Sequence, residues 1–486
     1  MNSHRRWNST CGILPPHILE AIARAGDAKD RDRALTELEH DHSMRAERMH
    51  RHLRMAAARP IVLPAATPHK QRYIYTAKNG TTLPGTLVRS EGQGPIGDAA
   101  VDEAYDGLGG TFDLYWNMFK RNSIDNAGMD LIGTVHYGQN YDNAFWNGSQ
   151  MVFGDGDGKY FNRFTIAVDV MGHELTHGVT AHEANLAYHD QPGALNESIS
   201  DVFGSLVKQY MHSPQQTAAQ ADWLIGAGLF TAQVNGVALR SMKAPGTAYD
   251  DKVLGKDPQP DHMNKYVNTT QDNGGVHINS GIPNKAFYLA AVALGGYAWE
   301  KAGKIWYATL CDSRLHSDAQ FQEFANLTAD NALHLFGDPE QQAVINAWKQ
   351  VGIIVVPEVI KIAGPWILHY SWGATGNYAQ VTLNFNSDGT FTGAGNGKWV
   401  QQDGTLLLSF DTGPAKYAGT VDGNIGTGAM STYAGLDGVW YLSRQGTTGI
   451  IASIAFAALA EVDPAGNPVA KKMEMAAPAA TRAPAA

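Results

Sequence analysis

Residues 166–179 read Ile166-Ala-Val-Asp-Val170-Met-Gly-His173-Glu174-Leu175-Thr176-His177-Gly-Val179, and residues 193–204 read Gly193-Ala-Leu-Asn-Glu197-Ser-Ile-Ser-Asp201-Val-Phe-Gly204. In the first, apolar residues recur at Ile166, Val170, Leu175 and Val179, a helical spacing. His173 and His177, four apart, then share one helix face, so both imidazoles can reach one Zn²⁺ while Glu174 beside them handles a proton. A catalytic zinc needs a third protein ligand and an open position for water. The second segment sets Glu197 and Asp201 at i and i+4 on one helix face. Glu197 completes a His₂Glu set, and Asp201 can accept the free ring N–H of His173, which fixes the tautomer and raises the ligand's basicity.

The rest of the chain frames these two helices. At 486 residues it is too long for one ordinary core, and two or three folded units are expected. Apolar residues at 44% and charged residues at 17% exclude disorder over most of the length. A net charge of -10 disfavours nucleic acid or anionic lipid as partners. Cys11 and Cys311 are the two cysteines, too few for a disulfide framework, and Cys311 sits on an apolar helical stretch that reads as core. No apolar run of signal-peptide length follows the basic residues near Met1, and no 18-residue apolar stretch occurs. The expectation is therefore cytoplasmic synthesis without a classical signal peptide, any release being by a non-classical route, and no membrane span.

Sequence texture changes several times along the chain. Residues 1–58 hold a Pro15-Pro16 turn, a helix expected over His17–Ala25 and a charged helical arm. The arm's Arg33, Glu37 and neighbouring charges read as a solvated face, and its histidines lack the partners of a metal site. Prolines and small residues make 59–69 a linker and cleavage region. Residues 70–165 mix short β-rich runs with Gly and Asn punctuation and one helix, Ala104–Phe119, giving a β-rich lobe. Residues 166–356 turn helical, with Asp338-Pro339 read as a capped helix start. Over 357–462, alternating apolar residues and Asp-Gly turns predict an all-β barrel or sandwich. The Ala- and Pro-rich residues 463–486 read as a disordered tail. The fold class is multidomain α+β.

Further motifs join the two helical ones: Asn143-Ala-Phe-Trp-Asn-Gly148, Gly154-Asp-Gly-Asp-Gly158 and Asp272-Asn-Gly-Gly-Val-His277-Ile-Asn-Ser-Gly281. Together, in order and spacing over about residues 70 to 353, they resemble the thermolysin family (M4) of zinc metalloproteases. The resemblance implies a two-lobed catalytic unit with the zinc helix at the floor of the cleft. It implies one catalytic zinc on His173, His177 and Glu197, and Glu174 as general base toward the metal-bound water. Tyr188 and His277 become donors to the oxyanion, with Asp272 orienting His277 and Asp201 behind the zinc ligand His173. Asn143, the Ala144 backbone and Arg240 match contacts to the substrate backbone. Phe161, Val170 and Leu239 match an apolar pocket, which implies cleavage before bulky hydrophobic residues, narrowed by Phe164 where the family has leucine. Of the family's double-calcium site Asp169 remains, but Lys208, Leu224 and Ala227 replace other ligands, so no dependence on that calcium pair is expected. The Asp155-Gly-Asp157 segment reads as a tight turn.

The front end, Cys11-Gly-Ile-Leu-Pro15-Pro16-His-Ile-Leu19, resembles the short propeptides of the protealysin-like branch. That implies a self-inhibited precursor with its own propeptide in the cleft, freed by cleavage within residues 55–68. Pro15 and Pro16 carry the motif, and Cys11 is a candidate to place a thiolate on the open zinc position. In the last domain, Trp366, Trp372, Trp399, Trp440, Tyr370, Tyr378, Tyr417, Tyr433 and Tyr441 read first as barrel core. The expected function is a zinc endopeptidase acting on proteins or peptides; the alternative is a blocked protease scaffold that binds partners through its C-terminal β domain.

Overall fold

The computed structural model describes residues 11–55, 67–355 and 362–445, apart from 374, 376, 387, 403–404, 423–424 and 433–434, together with strands Ala460–Val462 and Pro468–Ala470. The leader's side chains are described from Gly12 to Ser43. The Cys11 thiol, most of the expected cleavage region, Tyr433 and most of the expected tail lie outside the described residues. The chain divides into two compact units, Met1–Pro357 and Glu358–Ala486. Among the described residues no helix is long and apolar enough to cross a membrane.

In the first unit, strands β1 (Cys11–Gly12), β2 (Arg72–Thr76), β3 (Thr86–Ser90), β4 (Leu131–Val135), β5 (Ala144–Trp146) and β6 (Met151–Phe153) form one sheet in the order β1-β5-β6-β4-β2-β3. The leader thus supplies an edge strand, antiparallel to β5, with Cys11 opposite Trp146 and Gly12 opposite Phe145. Pro15 is extended at φ -63° and ψ 140°, and helix α1 (Pro16–Ala25) starts at the next residue. A proline in the first turn gives up no needed donor, so Pro15-Pro16 turns the strand into a helix whose Ile18, Leu19 and Ile22 are buried.

Helix α2 (Ala28–Met55) follows. Among its described side chains the buried positions are Asp30, Ala34, Glu37, Leu38 and Asp41, a helical face turned to protein. The expectation of a solvated face at Arg33 and Glu37 is corrected: Glu37 is 6% exposed, and Arg33 is paired with loop carboxylates described below. Helix α3 (Ala99–Phe119) packs on the sheet, capped by Asp98, which accepts from the N–H groups of Ala100 and Val101.

The helical lobe comprises α4 (Val168–His182), α5 (Asp190–Met211), α6 (Asp272–Asn279), α7 (Gly281–Leu294), α8 (Ala302–Cys311), α9 (Phe321–Phe336) and α10 (Asp338–Gln350). Two glycines bring α4 and α5 together. A Cβ on Gly172 would lie 2.9 Å from the Gly204 Cα, and one on Gly204 would lie 2.4 Å from the Asp169 carbonyl oxygen. Only bare backbone fits this crossing. Two readings need adjustment: Asp338 is the first residue of α10 rather than its cap, which is Gly337, and Cys311 closes α8 exposed rather than in the core.

In the second unit, eight antiparallel strands from Gly364–Trp372 to Asp437–Arg444 pair each with the next, and the last pairs with the first. This closed barrel is filled by Trp366, Leu368, Leu383, Phe385, Phe391, Leu406, Trp440 and Leu442. The indole N–H of Trp366 donates to Ile362 O at 2.6 Å and that of Trp440 to Ala429 O at 2.8 Å, so both polar ends are satisfied inside. Trp399 and Tyr417 are also buried and Tyr370 and Trp372 partly so, as core packing requires.

Candidate active site

The α4–α5 crossing carries the site. His173, His177 and Glu197 are buried, and their ligand atoms lie within 4.8 Å of one another. His173 Nε2 stands 3.0 Å from His177 Nε2, and each lies 3.4 Å from a Glu197 oxygen. The far side of each ring decides what these atoms are. His173 Nδ1 is 2.8 Å from Asp201 Oδ1. His177 Nδ1 is 2.8 Å from Asn196 Oδ1, an amide held in that orientation because its NH₂ donates to Leu186 O at 3.1 Å. Both rings therefore carry their proton on Nδ1 when neutral, leaving two Nε2 lone pairs and a carboxylate converging with no proton between them. Three acceptors at these distances suit a cation such as zinc, whose donors are imidazole nitrogen and carboxylate oxygen.

Asp201 holds more than His173. Its carboxylate accepts from Arg240 Nε and Nη2, both at 2.9 Å, and from Asn284 Nδ2 at 2.8 Å. Burial alone would raise its pKa, but the Arg240 guanidinium and His173 pull it down to about 2. Glu174, fully buried, accepts from the Trp146 backbone N–H at 3.0 Å, which ties it to β5.

On the other side, Tyr188 donates to Glu197 Oε1, and its hydroxyl lies 3.4 Å from His277 Nε2. Four successive residues of positive φ, Asp272 to Gly275, open α6. That turn folds the Asp272 carboxylate back onto the backbone N–H and the Nδ1 of His277, each at 2.8 Å.

The leader lies across this centre. Ile13 N–H donates to Ala144 O at 3.0 Å, Leu14 N–H donates to Asn143 Oδ1 at 3.0 Å, and Arg240 Nη1 donates to Ile13 O at 3.2 Å. A Cβ on Gly12 would meet the Asn143 side chain at 2.5 Å, so glycine lets the leader's backbone approach this closely. Ile13 and Leu14 are fully buried in the same core as Phe161, Phe164, Val170 and Leu239. Pro15 and Pro16 are buried where the chain turns away. Cys11 is placed by its backbone alone.

All seven metal-binding and catalytic residues expected from sequence, and Asp201, come together here. Sequence reasoning missed Asn196, although it directly precedes Glu197, and Ser200, whose hydroxyl is 3.0 Å from His177 Nδ1. Asn284 carried no signal, because it arrives from α7, 83 positions away from Asp201. At the expected calcium position, Lys208 Nζ lies 3.4 Å from Asp169 Oδ2 and donates to Asp222 at 2.9 Å and Leu224 O at 3.0 Å. Asp157 Oδ1 accepts from the N–H groups of Lys159, Tyr160 and Phe161, which makes its segment a tight turn.

Comparison with known proteins agrees with this geometry. Residues 62–181 match the thermolysin metallopeptidase catalytic domain, residues 184–353 the thermolysin metallopeptidase alpha-helical domain, and residues 11–52 the protealysin propeptide. An extracellular metalloprotease of Pectobacterium carotovorum is 54% identical over 357 residues, which span 72% of this chain and 98% of that protein. An extracellular minor metalloprotease of Serratia marcescens is 43% identical over 289 residues, 60% of this chain and 79% of that protein. The precursor of protealysin, a metalloproteinase from Serratia proteamaculans, superposes with a TM-score of 0.64 at 56% identity, covering 70% of this chain and 99% of that one. The expectation of cytoplasmic synthesis, with any release by a non-classical route, is corrected by these relatives, two of which are named as extracellular and point to secretion.

Proposed function

This chain belongs to the thermolysin metallopeptidase family and carries a protealysin-type propeptide; from that premise we propose a zinc endopeptidase that cuts before bulky hydrophobic residues and is blocked by a leader seated in the manner of a substrate. The observation carrying the finer part is the leader's path. Ile13 presents its N–H to Ala144 O and its carbonyl to Arg240, and its side chain is buried in the core that also holds Phe161, Val170 and Leu239. A substrate strand adding to β5 in the same sense offers the same groups, with a bulky side chain in Ile13's place.

His173, His177 and Glu197 are the residues to hold the metal. Bound zinc supplies an acidified water and a Lewis-acid contact for the scissile carbonyl. Glu174, pinned by the Trp146 N–H, is the base that would accept a proton from an attacking water and pass it to the departing amine. Tyr188 and His277 both reach Glu197, Tyr188 by a hydrogen bond and His277 Nε2 at 3.5 Å. Asp272, 2.8 Å from Nδ1, orients the His277 ring toward a developing oxyanion. Asn143, Ala144 and Arg240 hold the substrate backbone in register. Lys208 fills the calcium position with its own charge, so calcium is not required there. The extracellular relatives support action outside the cell. Nothing among the described residues favours the binding-scaffold alternative over the enzyme.

The test is wild-type protein beside Glu174→Ala, each zinc-loaded, followed by mass spectrometry of the N-terminus and by cleavage of blocked peptides. Wild type is expected to lose its leader and hydrolyse bonds preceding Leu, Ile or Phe; the variant is expected to do neither while retaining zinc. Equal trimming and hydrolysis by both proteins would overturn the assignment of Glu174, and cleavage indifferent to the residue after the bond would overturn the specificity.

A further inference from the structure

Helix α2 of the leader presses carboxylates, rather than an apolar stripe, against the catalytic unit. Of the five buried positions among its described side chains, three are acidic: Asp30 at 2%, Glu37 at 6% and Asp41 at 1% exposure. They meet two loops, one around Tyr141 and Asp142 and one around Asp157 to Tyr160. Arg33 donates to Asp142 Oδ2 at 3.0 Å and to Asp157 Oδ2 at 2.5 Å, with Asp30 Oδ1 at 3.6 Å. Lys159 reaches Asp30 Oδ2 at 2.5 Å and Asp27 Oδ2 at 3.0 Å, and the Tyr160 hydroxyl donates to Asp30 at 3.0 Å. Glu37 Oε1 accepts the Asp142 backbone N–H at 2.9 Å. The other Glu37 oxygen, Oε2, and Asp142 Oδ1 are buried with no hydrogen-bond partner. His40, one turn on, is engaged by the Tyr141 hydroxyl at 3.2 Å and stacks on Tyr137.

Among the described residues of this seam, the carboxylates Asp27, Asp30, Glu37, Asp41, Asp142 and Asp157 outnumber the cations Arg33 and Lys159, and buried charge left uncompensated is costly. We propose that one proton held by the Glu37–Asp142 pair latches the leader to the catalytic unit, so that docking is tight in acid and loosens as pH rises toward neutrality. A proton on either group removes one excess charge and turns a buried, unpartnered acceptor into a donor. A cavity of about 440 Å³ lined by Arg33, Glu37, His40, Tyr137 and Tyr141 reaches the Glu37 member of the pair, where protons can exchange.

Electrostatics support the geometry. Burial, reinforced by Asp157 and only partly offset by the Asp142 N–H and Arg33, raises the Glu37 carboxyl from 4.5 to about 7. Burial, then Glu37 and Asp157, push Asp142 well above its ordinary value against the pull of Arg33. The docked leader therefore binds a proton more tightly than the free one. Docking is fully favoured below the free carboxyl's value and declines as pH climbs through about 7. A difference of this size corresponds to a docking equilibrium lowered by about 10²-fold. The latch concerns leader docking and stands apart from which bond the enzyme cuts.

The test uses the full chain carrying Glu174→Ala, followed by amide hydrogen exchange of α1 and α2 from about pH 5 to 9, corrected for intrinsic exchange. Protection is expected to fall by about 10²-fold as pH rises from the free carboxyl's value and to level off above about 7. Adding Glu37→Gln, which is neutral at every pH, is expected to hold protection flat at the acid level. Asp142→Asn reads the same proton from the opposite side, so misfolding of one variant leaves the test standing. Protection that is constant with pH, or a profile unchanged in both variants, overturns the latch.

Discussion

Replacing Asp201 by Asn separates two services performed by one carboxylate. Its two oxygens take four donors: His173 Nδ1 and Arg240 Nη2 on Oδ1, Arg240 Nε and Asn284 Nδ2 on Oδ2, all between 2.8 and 2.9 Å. An amide keeps one acceptor and turns an NH₂ toward donors at the other position. Arg240, 2% exposed, is then a buried guanidinium without its hydrogen-bonded counter-charge. Removing one partner of such a pair costs about 3–5 kcal/mol, and this loss does not depend on metal. The second loss does: His173 gives up the acceptor that fixes its tautomer, which lowers metal affinity by about 10–100-fold. Denaturant unfolding of zinc-loaded and zinc-stripped protein, with competition against a chromophoric chelator, measures both. Stability loss is expected in both forms and weakened zinc binding in addition. Unfolding free energies within about 0.5 kcal/mol of wild type, with unchanged zinc affinity, would refute the reasoning.

Lys208→Ala strands the buried Asp169 and is expected to lower Tm by about 5 °C; in wild type, a calcium-selective chelator should leave Tm unchanged when zinc is maintained. His136 bridges Asp155 at 2.8 Å and Asp98 at 3.1 Å, contacts that raise its pKa to about 9, the Asp155 hydrogen bond foremost and burial opposing. Its stabilisation is full below the free imidazole value of 6.5 and is lost as pH rises through about 9. Since the side chain is partly exposed, unfolding measured against pH should show about 1 kcal/mol from this source, absent in His136→Gln. A chain ending at Pro357, where the first compact unit closes, is expected to hydrolyse peptides at the rate of the full chain; loss of activity in steady-state assays would assign the barrel a part in catalysis.

The metal centre was legible because helix periodicity alone puts His173 with His177, and Glu197 with Asp201, on shared faces. What local sequence could not show is the crossing that joins those faces. It depends on Gly172 and Gly204 meeting from separate helices, and neither glycine differs locally from one that merely weakens a helix. The α2 seam misled for a related reason: charges at helical spacing look the same whether they face water or a matching set of loop groups distant in sequence. Asp142 and Asp157 lie more than 100 residues beyond Arg33. Asn284 likewise belongs to the site through tertiary packing alone. The barrel's strands were visible in their alternation, but closure depends on Trp366 in the first strand meeting Arg444 in the last, a long-range register that no turn motif encodes.

The leader strand β1 has a consequence for the period before the enzyme matures. While it is in place, the three-residue strand β5 is an interior strand with both flanks paired. Unpaired strand flanks invite other chains to add to them and are a common start of aggregation. During synthesis and folding, when protein is crowded and partly exposed, the leader thus shields the sticky margin of the sheet as well as the reactive centre. The margin becomes open only after its surroundings are folded, and its shortness then limits how firmly any passing strand can hold.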